Sequence, residues 1–254
     1  MATSLRSVAR RLLGVARTPT YYLPWLARPG LDCVLLLSNV EARFKPGYND
    51  GPFPVTVVQY GADGAVVRRC EVALADSTDA VELRLEGGAG DCGFVTVSGE
   101  RIESDLYVTL SDGEAYTATH GRGEFVERYP LRARLVMAVL GGALALVGRT
   151  VPAFARDQYA YVWPDACSHL LLMNLSNVTN RIRVAAGRDG RPLGTRLLRL
   201  PAMGAHLLDV STLDPDPARG LCRLRLEGNA WFNLYVVGAG SRGLAGPLSL
   251  MHVK

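Results

Sequence analysis

The chain has 254 residues, an apolar fraction of 48%, a charged fraction of 20% and a net charge of +4. This is ordinary globular composition for one large domain or two smaller ones. It excludes a disordered chain and gives no reason to expect a nucleic-acid partner. Lys45 and Lys254 stand alone against 26 arginines, and the five cysteines (33, 70, 92, 167 and 222) form no C-x-x-C. No zinc set or disulfide framework is therefore expected, and reduced thiols in a cytoplasmic protein fit best.

Residues 1–30 form a basic lead-in with five arginines and no acid before Asp32. Leu5, Val8, Leu12 and Ala16 fall on one helical face, and the apolar centre is too short for a secretory signal. An aromatic run, "YYLPW" (21–25), closes the segment. Short strand-like runs follow: "VLLLSN" (34–39), "VTVVQYGADG" (55–64), "DAVELRL" (79–85), "GFVTVSG" (93–99), "DLYVTL" (105–110) and "AYTATH" (115–120). Alternating polar and apolar residues within them predict half-buried strands, and Asp63-Gly64 predicts a turn.

Residues 128–160 read as an apolar helical linker. No acid occurs from Arg128 to Arg156, and Leu135 to Val147 is 13 residues of unbroken small and apolar side chains. A membrane span needs about 20. The segment is therefore expected to hide against protein, between domains or at another subunit, with an interfacial position on a bilayer as the alternative.

Beyond it the earlier runs return in order: "YAYVW" (159–163), "HLLLMN" (169–174), "RIRVAAGRDG" (181–190), "AHLLDV" (205–210), "CRLRLEG" (222–228), "NLYVVG" (233–238) and "LSLMH" (248–252). The shared order predicts an internal duplication, and Leu36, Val57, Val95, Leu171, Val184 and Leu224 are the candidate inward positions of its strands. The fold class expected is all-β: two tandem antiparallel β-sandwich domains, at 31–127 and 161–254, each with a short helical or aromatic lead-in.

Gly238, Gly240 and Gly243 spell a G-x-G-x-x-G. A dinucleotide fingerprint needs a helix to open within it and an acid further on. Only Leu244 to Lys254 follow, with Pro247 among them, so a hairpin loop is expected. No catalytic residue, cofactor or metal site is predicted, since none of the usual nucleophile, phosphate-loop or metalloprotease motifs occurs.

The candidate binding residues are Tyr22 and Trp25 in the first aromatic run, Tyr161 and Trp163 in the second, and the strand-end histidines His120 and His252. Tyrosine and tryptophan suit sugar faces and partner hot spots. His169 and His206 could meet across adjacent strands.

The run "SHLLLMNLSNVTNRIRVAAGRDGRPLGTRLLRLPAMGAHLLDVSTLDPDP" (168–217) resembles the sensory rhodopsin transducer family in its strand ending at Asn174, "RPLG" (191–194), "LPA" (200–202), His206 and "LDPDP" (213–217). The resemblance implies a β-sandwich with a carbohydrate-binding-like fold and a soluble binding or signal-relay role, and it carries over no catalytic residue.

The function expected is a non-enzymatic binding or assembly module. It would recognise a protein or a carbohydrate through sandwich loops or linker surfaces, within a larger complex or a homo-oligomer. Two alternatives stand beside it: an enzyme or accessory subunit with a site at the pseudo-symmetric interface, using His120 and His252, and a peripheral membrane protein docked by its two basic acid-free segments.

Overall fold

The computed structural model describes residues 14–45, 47, 51–87, 90–102, 106–163, 166–213 and 220–252. The first half contributes β1 (Ala16–Leu26), β2 (Asp32–Ser38), β3 (Phe53–Gly61), β4 (Val66–Leu74), β5 (Ala80–Arg84), β6 (Cys92–Ser98), β7 (Leu106–Ser111), β8 (Tyr116–His120) and β9 (Arg122–Arg128). A helix, α1 (Leu131–Leu146), separates these from β10 (Phe154–Trp163), β11 (Ala166–Asn174), β12 (Asn180–Arg188), β13 (Arg191–Leu200), β14 (Ala205–Asp209), β15 (Gly220–Gly228), β16 (Phe232–Gly240) and β17 (Leu248–His252). The all-β expectation holds.

Three sheets organise the described strands: β4-β3-β6-β1-β9, β5-β2-β7-β8, and β13-β12-β15-β10-β11-β16-β17 with β14 also on β11. The third sheet turns at β10–β11, where only Val162 with Cys167 and Trp163 with Ala166 are paired. Its two parts, β13-β12-β15-β10 and β14-β11-β16-β17, repeat position by position the orders β4-β3-β6-β1 and β5-β2-β7-β8. All the pairings between these strands are antiparallel, as short strands joined by tight turns allow; one isolated bridge, Glu127 with Ser176, is parallel.

Alternation decides which side chains meet. On β1, Leu23 and Trp25 face β7, where Leu23 lies close to Leu106. Tyr22 faces the opposite way and meets Tyr235 of β16 edge-on at 5.9 Å. The same alternation on β11 sends Leu171 and Met173 into the first-half core and Leu170 and Leu172 into the second-half core. The β6-β1 and β11-β16 layers are thus buried on both faces, whereas β2 and β12 bury alternate residues only. The halves dock head to tail: the outer face of β6-β1 lies on the outer face of β14-β11-β16. Ala205 N–H donating to Ala62 O (3.1 Å) stitches the contact.

Several expectations shift register or face. The aromatic lead-in at 21–25 is strand, inside β1, which lies between β6 and β9 in its sheet. Leu36, expected inward, lies on the outer face, and Leu35 and Leu37 are the buried neighbours. An unbroken "VLLL" carries no phase for alternation to reveal. Val57, Val95, Leu171, Val184 and Leu224 are buried, but Leu171 belongs to the contact between halves.

The helix does not hide its apolar side chains. Its protein-facing side is small: Ala133 and Gly141 are buried, and a Cβ on Gly141 would come within 3.0 Å of the Arg181 guanidinium. Leu131, Leu135, Val136, Val139, Leu140, Leu146 and Val147 point into solvent, with Val139 70% and Leu146 89% exposed. Small residues allow close approach of the backbone, and the large ones are consequently turned outward. No helix among the described residues is long and apolar enough to cross a membrane.

The glycine motif spans the end of β16 and the short turn into β17, which pairs back on β16. No α-helix follows it among the described residues, so the backbone amides that would cradle a pyrophosphate are engaged in a ladder.

Candidate functional site

Of the six candidate residues, Tyr22 and Trp25 are fully buried. Trp25 Nε1 donates to Tyr60 O at 2.9 Å, and its ring occupies the space above Gly93, where any Cβ would collide at 2.6 Å. Both are therefore core residues and offer no binding surface. The two aromatic runs do not correspond in the structure. Trp25 pairs with Gly93, while the matching position on β15, Cys222, pairs with Ala160. Trp163 lies three residues beyond, on the other face of its sheet.

His120 ends β8 opposite Tyr107 and is exposed; its carbonyl accepts the Tyr235 hydroxyl at 3.2 Å. The side chain of His252 lies outside the described residues, and its backbone pairs with Tyr235. His169 pairs with Asp209 and His206 with Leu172. Three residues apart on one strand means opposite faces, so the two imidazoles do not meet. Burial lowers both their pKa values. Beside His169, the Cys167 thiol donates to Asp209 Oδ1 at 3.2 Å, and burial followed by that carboxylate pushes it up to about 11. A thiol held protonated at neutral pH is no nucleophile. No group of three His, Cys, Asp or Glu among the described residues could hold a metal ion.

Tyr161 and Trp163 come together on a surface. Alternation on β10 buries Ala160 and Val162 and sends Asp157, Tyr159, Tyr161 and Trp163 outward. The three rings, 55%, 49% and 50% exposed, line one strand at intervals of two residues, about 6.6 Å each. Tyr161 and Trp163 present nearly parallel rings, 6.5 Å apart with 22° between planes.

Charge flanks one end of this row. Arg223 lies opposite Tyr159, Arg225 opposite Asp157 and Glu227 opposite Ala155. Asp157 is gripped by Arg225 Nη1 at 2.6 Å and Arg223 Nη2 at 3.4 Å; Arg225 Nε reaches Glu227 at 3.5 Å, and Arg183 reaches the same carboxylate at 3.9 Å. The ladder holds each guanidinium plane in place. Beyond it, Ala185, Ala186 and Gly187 of β12 form a low floor, and the Asp189-Gly190 turn, with φ of 49° and 78°, leads into Arg191 at the rim, while the Arg188 guanidinium turns inward to Cys222 Sγ at 3.4 Å. Together they enclose a concavity of about 690 Å³, open to solvent.

Asp157 and the arginines of β15 were not singled out from the sequence. The available signal was the alternation of "DQYAYVW" (157–163) against "CRLRLEG" (222–228): seven outward polar or aromatic residues on two strands. Only their pairing joins them into one surface. The "LDPDP" portion of the transducer-like run falls largely outside the described residues, and His206 is half-buried, facing Leu172. Comparison with protein-family models, with curated proteins and with solved structures yields no match.

Proposed function

We propose that the protein is a non-enzymatic binding module that takes an acidic oligosaccharide on the β10-β15-β12 face. The observation that carries this reading is the exposed row of Tyr159, Tyr161 and Trp163 beside a fixed arginine–carboxylate ladder. Pyranose rings present C–H faces that stack on aromatic rings, and an amphipathic Tyr or Trp keeps its polar edge in water while doing so. Vicinal hydroxyls donate to a carboxylate such as Asp157, which the two arginines hold still. Arg183, Arg191, Arg223 and Arg225 outnumber Asp157, Asp189 and Glu227, and planar guanidinium forks match carboxylate or sulfate substituents. The size of the concavity lies within the range of small-molecule and cofactor sites.

The same strand order in the two halves supports descent from one duplicated β-sandwich. The carbohydrate-binding-like fold implied by the resemblance at 168–217 points to the same ligand class. In this reading the second copy keeps the ligand face, and the first has given up the equivalent face to hold the second.

Titration calorimetry against neutral and acidic oligosaccharides tests the proposal. Saturable binding of the acidic set is expected, with a shift in Trp163 emission. Trp163→Ala and Tyr161→Ala should abolish it at unchanged thermal stability. Equal binding by these variants, or binding of the neutral set alone, sinks the proposal.

A further inference from the structure

We infer that the corner formed by α1 and the β12-β13 edge docks on an anionic phospholipid surface, with a headgroup phosphate in the groove beneath the helix. This face is distinct from the aromatic one, so either reading can fail without the other.

Two observations converge. The first is the inverted helix. A side chain exposed to water is expected to be polar, yet the outward ridge of α1 is Leu131, Leu135, Val136, Val139, Leu140 and Leu146, with no charge from 135 to 148. The ridge is about 24 Å long. Arg132 and Arg134 stand at one end and Arg149 at the other, the arrangement in which long basic side chains reach up to headgroups while the aliphatic ridge enters the interface.

The second is the groove of about 370 Å³ between α1 and the sheet. Arg134, Arg181 and Arg199 line it together with Asn177 and Thr179, and none of its lining residues is acidic. Among the described residues none of these three arginines forms an ion pair, unlike those of the aromatic face. Gly141 leaves the space in which the Arg181 guanidinium lies under the helix. Three unneutralised cations in one groove favour a phosphate, and the adjacent apolar ridge favours a phosphate that carries acyl chains. Gly14, where the described chain begins, sits against Pro130 and Arg132 at the foot of the helix. With Arg132, Arg134, Arg181 and Arg199 around the groove and no acid lining it, the corner is complementary to an anionic surface.

Co-sedimentation of the full chain with vesicles tests this. Vesicles of phosphatidylcholine with phosphatidylserine should bind the protein, those of phosphatidylcholine alone should not, and salt should weaken the binding. Val139→Asp with Leu140→Asp, both at exposed positions, should lower partitioning roughly tenfold or more at unchanged melting temperature. Arg134→Ala with Arg199→Ala should do the same, by roughly tenfold. The inference is overturned by equal binding to neutral vesicles, or by binding that survives either pair of substitutions. Saturable inorganic phosphate binding without vesicle binding would make the groove a soluble-anion site instead. A wild-type dimer in sedimentation that Val139→Asp dissolves would make the ridge a self-interface.

Discussion

The outer face of β6-β1 and the outer face of β15-β10 occupy the same place in two identical strand orders, yet one is dry and the other wet. In the first half Tyr22 sits opposite Thr96, Pro24 opposite Phe94 and Leu26 opposite Cys92, and the β14-β11-β16 layer covers them. At the matching positions of the second half Asp157 sits opposite Arg225, Tyr159 opposite Arg223 and Tyr161 opposite Leu221. Backbone pairing is indifferent to which side chains stand outward, so one scaffold supports both. The difference lies in solvation: the covered face has no water to solvate a charge, and the free one does.

The largest expected effect separates the two tryptophans that the sequence pairs. Trp25→Ala should cost about 3–5 kcal/mol in chemical denaturation, since it empties core space and orphans the Tyr60 carbonyl. Trp163→Ala should stay within about 0.5 kcal/mol of wild type and lose only ligand binding. Similar costs for both would mean that the faces are not distinct.

Exchanging side chains between the faces is the next test. Thr96→Arg puts into the covered contact the residue that the free face carries at Arg225, and should destabilise by about 3 kcal/mol through an uncompensated buried charge. Arg225→Thr should be nearly neutral in stability. A Thr96→Arg protein as stable as wild type would show that the halves do not press together there.

A smaller cost should follow from Asn174→Ala, at about 1–3 kcal/mol. Its buried amide donates to Val178 O and Pro201 O and accepts the Ser176 hydroxyl at 2.6 Å, closing the loop after β11. Melting unaffected by the change would remove that loop from the set of structures that hold the layer.

The smallest effect is acid sensitivity at the contact between halves. His169 on β11 is buried there, while the corresponding Val34 faces solvent. Burial holds the folded pKa of His169 and of His206 below the ordinary value of about 6.5. The unfolded chain therefore binds more protons below that value. Stability is full above about 6.5 and is lost as pH falls toward the folded values. Melting temperature should drop over that window, and His169→Gln with His206→Gln should flatten the drop. An unchanged slope would assign acid sensitivity to other groups.

Much of this architecture was legible in the order of short alternating runs. Val57, Val95, Val184 and Leu224 could be placed in the core because polar neighbours on either side mark the phase. "YYLPW" at 21–25 could not be placed, because a strand buried on both faces has no polar residue to reveal a phase, and "VLLL" at 34–37 could not, because its outward residues are apolar as well. That is why Leu36 was misplaced, and why Tyr22 and Trp25 looked like surface aromatics. For the helix, composition identified the element but not which side would turn inward: 13 apolar residues look alike until Gly141 is placed over Arg181.

Local chemistry along the chain was enough to determine that strands would form, roughly where they end, and that the glycines after β16 belong to a turn rather than a phosphate cradle. These outcomes depend on neighbours within a few residues. Which faces are wet, which aromatics are core and which arginines share a groove depended on pairing between residues such as Asp157 and Arg225, 68 positions apart. Only the tertiary structure decided those, because desolvation acts on whole surfaces that distant strands assemble.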